Sequence, residues 1–277
     1  MGLRRALEAA DPDAPLVEAR GVGVTIGGTS ILHDADLILM PGELLAIVGP
    51  NGAGKSTFAR TICGLQKPTS GVVKWSGRDL SGLGGRDLAK LRAFVPQRAQ
   101  VPNGVTVDDA VRIGRSAHLK PLQGFAAEDH EAISGALRHA RMEGFGDRLL
   151  STLSGGEMQR VQVAVGLAQG TPVLVADEPT AQLDLGATAA VSSMLRRLVA
   201  EGLGVLLIVH DLALAAAVAD RLIVMSEGTT SATGVPEEVL SSQLIAEVWG
   251  VEAELVHRQG RSGLHVEWLD TSPELRN

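Results

Sequence analysis

Residues 49 to 57 read GPNGAGKST, and the first eight satisfy G-x-x-x-x-G-K-[ST], a spacing at which glycines let successive backbone N–H groups turn toward one anion. An apolar run, ELLAIV at 43 to 48, precedes the segment, and a helical pattern, KSTFARTICGL, follows it. A loop between a strand and a helix also aims the positive potential of the helix N-terminus at the anion. Lys55 is then placed to reach terminal phosphates and Ser56 to ligate magnesium. The expected ligand is a nucleoside triphosphate. Its cradle comprises Gly49, Pro50, Asn51, Gly52, Ala53 and Gly54 before the lysine, and Ser56 and Thr57 after it.

Three further segments carry groups that suit the same chemistry. VLVADEP at 173 to 179 delivers Asp177 and Glu178 to the end of an apolar run, and ligands of open α/β sheets bind at the carboxyl ends of strands. Asp177 would hold magnesium, directly or through water, and Glu178 would orient or deprotonate an attacking water. Taken alone, Asp-Glu after such a run is an ordinary solvated strand end; the phosphate loop upstream is what gives it a chemical reading. His210 ends another run, VLLIVH, where a lone histidine is by itself a structural residue. LSGGEMQRVQ at 153 to 162 is a second glycine-rich turn, although one nucleotide needs only one cradle.

The elements that must position these groups follow from periodicity. ELLAIV, AFVP at 93 to 96, VLVAD at 173 to 177, VLLIVH at 205 to 210 and LIVM at 222 to 225 alternate with helical patterns, which predicts a mostly parallel α/β sheet. Upstream, VEARGVGVTIGGTSILHDADLILMPGE shows two-residue alternation around Gly27 and Gly28, predicting an antiparallel N-terminal β region. Between Gln97 and Leu153 the strand pattern stops. TVDDAVRIGR and AEDHEAISGALRHARM there place apolar residues such as Ile133, Ala136, Leu137 and Ala140 at helical spacing, as an inserted helical subdomain over about 98–165 would. A short helix, SSQLIAEVWG, and a final strand or tail complete the chain. The expected domain spans 15–260, with a tail over 261–277.

At 277 residues the chain can bury one large α/β core with an insert. A net charge of -7 argues against a dedicated nucleic-acid binder, which gathers a basic surface. The single cysteine, Cys63, excludes an internal disulfide framework, and its helical setting suggests packing. The N-terminal MGLRRALEAADPDAP lacks the apolar stretch of a signal peptide. The most apolar region, 205 to 225, is broken by His210, Asp211, Asp220 and Arg221, so the chain reads as soluble. A positive mean hydropathy of +0.16 fits strands buried on both faces.

Taken in order, these motifs resemble those of the ATP-binding subunits of ABC transporters, over roughly residues 15 to 260. The resemblance rests on GPNGAGKST, Gln97 in FVPQ, LSGGE at 153, VLVADEP, Gln182 to Asp184 and His210. It implies a P-loop NTPase fold with a RecA-like sheet, and ATP and Mg2+ as ligands. It also implies two such subunits, expected as a homodimer, pairing head to tail around two ATP molecules. Ser154, Gly155 and Gly156 would then meet the γ-phosphate held by the other protomer's Lys55, with Asp184 at the same seam. Gln97 would ligate magnesium and, with His210, sense the γ-phosphate, while Glu178 serves hydrolysis. Separate integral membrane permease subunits and a substrate-binding protein are the implied partners, with the chain peripheral on the cytoplasmic face of the membrane. GRSAHL at 114 to 119 is similar to the G-R-x-P-H-L of importers of iron-siderophores, haem and cobalamin, with Ala117 departing from it.

Three further departures stand out. Ile26 occupies the position where the family stacks adenine on an aromatic residue, and the chain has no tyrosine. Met158 replaces the polar residue usual after LSGGE, and Val165 stands where many relatives have arginine; both either tune subunit pairing or are repacked. The rival functions are a soluble ABC ATPase acting on nucleic acid, ribosomes or cofactor assembly, and the ATPase of an exporter. The first is disfavoured because the chain carries no tandem ATPase unit, zinc module, coiled coil or basic tail.

Overall fold

The computed structural model describes Leu7, residues 11–97, 103–119 and 124–251, and the backbone of two later strands, Ala253–His257 and Leu264–Trp268. The rest of the first ten residues, the opening of the helical insert at 98–102 and most of the 261–277 tail lie outside the described residues.

In chain order the strands are β1 (Val17–Ile26), β2 (Thr29–Leu39), β3 (Leu44–Val48), β4 (Ser70–Trp75), β5 (Arg78–Asp79), β6 (Arg92–Val95), β7 (Val173–Asp177), β8 (Gly204–Ile208), β9 (Arg221–Ser226), β10 (Thr229–Gly234), β11 (Ala253–His257) and β12 (Leu264–Trp268). The helices are α1 (Lys55–Ile62), α2 (Gly85–Ala89), α3 (Val107–Ile113), α4 (Ala127–His139), α5 (Gly155–Ala168), α6 (Leu185–Ala200), α7 (Leu212–Val218), α8 (Pro236–Val239) and α9 (Ser242–Trp249).

The apolar runs of β3, β7 and β8 do not alternate because both faces of these strands are covered. Leu44, Ala46, Val48, Leu174, Ala176, Val205 and Leu207 join one apolar cluster, together with residues of α5 and α6. Their neighbours Leu45, Ile47, Val173, Val175, Leu206 and Ile208 join a second, with Phe58, Ala59 and Ile62 of α1 and residues of β1, β2 and β4. Successive side chains of a strand point to opposite faces, so each strand feeds both cores. The second cluster contains Trp75, whose indole N–H donates to the Ile62 carbonyl at 2.9 Å and ties β4 to the end of α1. Cys63 is buried there, and burial pushes its thiol up to about 12; it is an inert packing residue.

The described sheet has ten strands in the order β5-β4-β1-β2-β10-β9-β3-β8-β7-β6. Its parallel block is β9-β3-β8-β7-β6. β1, β2, β4 and β5 form the expected antiparallel N-terminal region, bridged to the block by β10. This order decides the site. β3, β8, β7 and β6 are neighbours and run the same way, so the segments that leave their carboxyl ends, carrying Gly49, His210, Glu178 and Gln97, emerge along one edge.

The helical insert packs its apolar side, with Val107, Val111, Ile133, Ala136 and Met142, into the same cluster as Ala93 and Val95 of β6. It thus shares a core with the sheet. β8 stops at Ile208 and not at His210 as its apolar run suggests. Asp211 accepts the Leu214 N–H at 3.0 Å as the N-cap of α7, and this cap turns the chain out of the sheet. The final segment is a β11-β12 antiparallel hairpin after α9, where a single strand or tail was expected.

Candidate functional site

The phosphate loop leaves β3 and enters α1 under tight steric limits. At Gly49, with φ at 152°, an added Cβ would lie 2.1 Å from the Met225 carbonyl oxygen of β9. At Gly54, the N-cap of α1 with φ at 93°, it would lie 2.6 Å from the Leu32 side chain. Both positions require glycine. Asn51 and Gly52 are exposed at the loop's crest, and Ala53 closes the turn by donating to the Pro50 carbonyl at 3.2 Å. Thr57 accepts the Thr61 hydroxyl on its carbonyl at 2.8 Å.

Lys55 is only 6% exposed, and its ammonium donates to the carbonyls of Gly49 at 2.7 Å and Pro50 at 3.0 Å. Burial lowers its pKa, and the carboxylates of Glu178 and Asp177 oppose that shift. The two carbonyls hold the ammonium inside the loop, where terminal phosphates would add the counter-charge that favours it. Across from it, Ser56 Oγ donates to Asp177 Oδ1 at 3.1 Å. Burial raises the Asp177 carboxyl, Glu178 adds to that, and the Ser56 hydrogen bond with the nearby Arg60 and Lys55 charges opposes it. A desolvated carboxylate beside a hydroxyl is a fitting pair of hard oxygens for a small divalent cation that takes its other ligands from phosphate and water. No group of three or more His, Cys, Asp or Glu side chains suited to a metal occurs among the described residues.

Glu178 follows Asp177 in a left-handed backbone conformation, φ 49°, which costs energy for a residue with a side chain and concentrates at functional sites. Its N–H donates to the Ile208 carbonyl at 2.9 Å. Gln97 Nε2 donates to Glu178 Oε2 at 2.5 Å, joining β6 to β7 across the edge. His210 Nδ1 lies 3.8 Å from the same oxygen, on a ring 62% exposed. A carboxylate thus stands between an amide donor and an imidazole, one residue beyond the Asp177–Ser56 pair.

Ser154, Gly155 and Gly156 line a separate cavity. Ser154 caps α5: its hydroxyl accepts the Glu157 N–H at 3.3 Å while its own N–H donates to Glu157 Oε2 at 2.8 Å. The first N–H groups of a helix have no partner within it, so the turn presents donors outward. Asp184 lies across the cavity and caps α6 by accepting the Ala187 N–H at 2.7 Å. The cavity encloses about 440 Å³ and is also lined by Arg160 and Gln182. A Cβ on Gly156 would lie 2.9 Å from Ala187 Cβ, so this glycine lets α5 and α6 meet at the cavity floor. Arg160 escaped the sequence reading, although its position four residues after Gly156 puts both on one helical face.

The family model of the ABC transporter matches residues 32–181. The hemin import ATP-binding protein HmuV of Rhodococcus jostii (strain RHA1) is 39% identical over 243 residues, covering 88% of this chain and 82% of that protein. The chain belongs to the ABC transporter ATP-binding family. It is likewise 34% identical to the iron(3+)-hydroxamate import ATP-binding protein FhuC of Bacillus subtilis (strain 168), over 85% of this chain and 88% of that one. The ADP conformation of MJ1267, an ATP-binding cassette of an ABC transporter, superposes with a TM-score of 0.75 at 26% identity, over 85% and 98% of the two chains. As an ABC ATPase, the chain binds ATP and couples its hydrolysis to transport.

Two of this ABC ATPase's departures are explained by packing. Met158 and Val165 both lie against the apolar cluster shared by sheet and insert, so repacking accounts for them. Ile26, in contrast, is 49% exposed at the end of β1, where the hairpin leads into β2 and past Gly54. Stacking a base on an aromatic side chain contributes about 1–3 kcal/mol. Ile26→Tyr is expected to tighten ATP by roughly fivefold, the lower end of that range, and to widen its margin over GTP. Equal gains for both nucleotides, or none, in equilibrium titrations would remove Ile26 from the base site.

Proposed function

We propose that the Lys55, Ser56, Asp177, Glu178, Gln97 and His210 constellation is the hydrolytic half-site and that the Ser154–Gly156 turn completes the equivalent site of a second, identical subunit. The observation that carries this is the division of the chain into two anion-facing surfaces. One has its lysine and carboxylates in place, with Lys55 and Asp177 buried; the other offers helix N-terminal donors and no lysine. In the first, the loop N–H groups and Lys55 bind the phosphates of ATP, and Ser56, Asp177 and Gln97 are the side chains that would hold Mg2+. The metal would neutralise charge on the phosphate oxygens. Glu178 accepts a proton from water as the water oxygen bonds to the γ-phosphorus and the bond to the β,γ-bridging oxygen breaks, releasing ADP. Gln97 positions that carboxylate and His210 approaches the γ-phosphate. Leu185, 91% exposed beside Asp184, suits burial at a subunit seam.

Closure of two such subunits around two ATP molecules would drive an importer of a metal chelate, of the class named in the hemin and iron-hydroxamate relatives. No helix among the described residues is long and apolar enough to cross a membrane. Separate permease subunits would therefore provide the path, with this chain peripheral on the cytoplasmic face and a substrate-binding protein delivering the chelate. The test is to purify the tagged chain from detergent-solubilised membranes. An integral membrane polypeptide co-purifies, and in vesicles hydrolysis rises with haem- or siderophore-loaded binding protein. Recovery without any integral partner would instead favour an ATPase not coupled to transport.

A further inference from the structure

GRSAHL, at 114 to 119, does not line the signature cavity; it wraps the opposite end of α5, the helix that carries Gly155 and Gly156 in its first turn. A Cβ on Gly114 would lie 2.3 Å from the Val165 carbonyl oxygen and 3.1 Å from Ala168 Cβ, so only glycine lets the end of α3 come so near α5. Arg115, 6% exposed, donates through Nη1 to the Ala168 carbonyl at 2.8 Å and through Nε to Asp129 Oδ1 of α4 at 2.9 Å. His118 Nε2 lies 2.7 Å from the Gln169 carbonyl. A carbonyl only accepts, so that nitrogen carries the proton. The Gln169 amide in turn donates to the carbonyls of Ala89 and Arg92, at the start of β6.

The last carbonyls of a helix have no donor within it, and a cation there also complements the helix dipole. Here one short segment supplies donors to two of them and ties the same helix end to α3 and α4, while the side chain of Gln169 ties it to the sheet. A buried ion pair adds little net stability compared with apolar residues of similar size. What Arg115 and Asp129 supply is one fixed geometry.

We infer that Gly114, Arg115 and His118 are positioning residues that fix the axis of α5, and through it the placement of Ser154, Gly155 and Gly156 against the nucleotide of the second subunit. This rests on the proposed role of that turn. The leverage is large, because α5 has 14 residues. At 1.5 Å per residue it is about 21 Å long, and a tilt of about 3° at its held end moves the other end by about 1 Å. A misplacement of about 1 Å can cost about 10²-fold in rate.

The test compares Arg115→Met/Asp129→Leu, which leaves no orphaned buried charge, with His118→Ala and His118→Gln. Each is measured for thermal unfolding, ATP affinity, turnover and, with Glu178→Gln added, ATP-dependent dimerisation. The double variant is expected to unfold cooperatively and keep its ATP affinity within about twofold, while turnover and dimerisation weaken about tenfold or more. His118→Ala lowers both about threefold, as loss of one hydrogen bond does, and His118→Gln restores them. Wild-type turnover and dimerisation in the folded double variant would overturn the inference; if that variant does not fold, the same result in His118→Ala would do so. Gly156→Asp, run in parallel, separates the two levels. If it too leaves turnover and dimerisation intact, the role assigned to the turn fails and the inference with it. If it abolishes both while the GRSAHL variants match wild type, the inference alone fails.

Discussion

Glu178→Gln lowers ATP turnover by about 10²- to 10⁴-fold, the usual range for a general base, while a dimer with trapped ATP accumulates. The substitution keeps the side chain's length and its acceptor oxygen for the Gln97 amide, which now donates at 2.5 Å. It removes the group that can take a proton from water. Lys55, Ser56 and Asp177 hold no hydrogen bond to Glu178, so phosphate binding persists and closure still occurs. Removing one carboxylate also relieves Asp177, whose carboxyl Glu178 helps to raise. Single-turnover hydrolysis and size-exclusion of the ATP-loaded protein check both halves. Near-normal turnover would remove Glu178 as the base, and low turnover without a trapped dimer would mean that it acts in closure.

The strands that carry this site were legible because burial on both faces leaves unbroken apolar runs, and each run ends at a residue with chemistry. Asp177 and Glu178 could be assigned to a strand end without any structure. The sequence could not show that Glu178 takes a positive φ, because nothing in Asp-Glu-Pro-Thr demands it; the residue also donates its N–H to Ile208 of β8, a partner thirty positions away that local sequence does not name. Nor could it place Gln97 against Glu178. Those residues are 81 positions apart, and only the adjacency of β6 and β7 joins them. Periodicity also overran at Val209 and His210, since an apolar run does not reveal the Asp211 cap that ends it. The insert was legible as helices but not as part of the sheet's own core, because amphipathic spacing identifies a buried face without naming what covers it. GRSAHL shows the same limit from another side. Its likeness to a family motif was visible, but the carbonyls it caps lie more than fifty positions away.

Gly156→Asp is expected to abolish turnover and ATP-dependent dimerisation while leaving ATP affinity of the single subunit close to wild type. Its side chain must displace Ala187, which a bare Cβ would already approach to 2.9 Å, and it brings a negative charge to a helix N-terminus meant for phosphate. Lys55→Ala is expected to fail for the opposite reason, by losing the buried ammonium that meets the terminal phosphates. In a head-to-tail dimer each site takes its loop from one subunit and its turn from the other. A mixed dimer of the two variants therefore contains one site with both defects and one with neither. Mixed in equal amounts, two inactive proteins should recover roughly a quarter of wild-type turnover if subunits exchange freely and sites act independently. An ATP-dependent dimer should return with it, and should persist when Glu178→Gln is added to both. A mixture that recovers neither dimer nor turnover would show that Ser154, Gly155 and Gly156 do not serve the nucleotide bound by Lys55 of the opposing subunit.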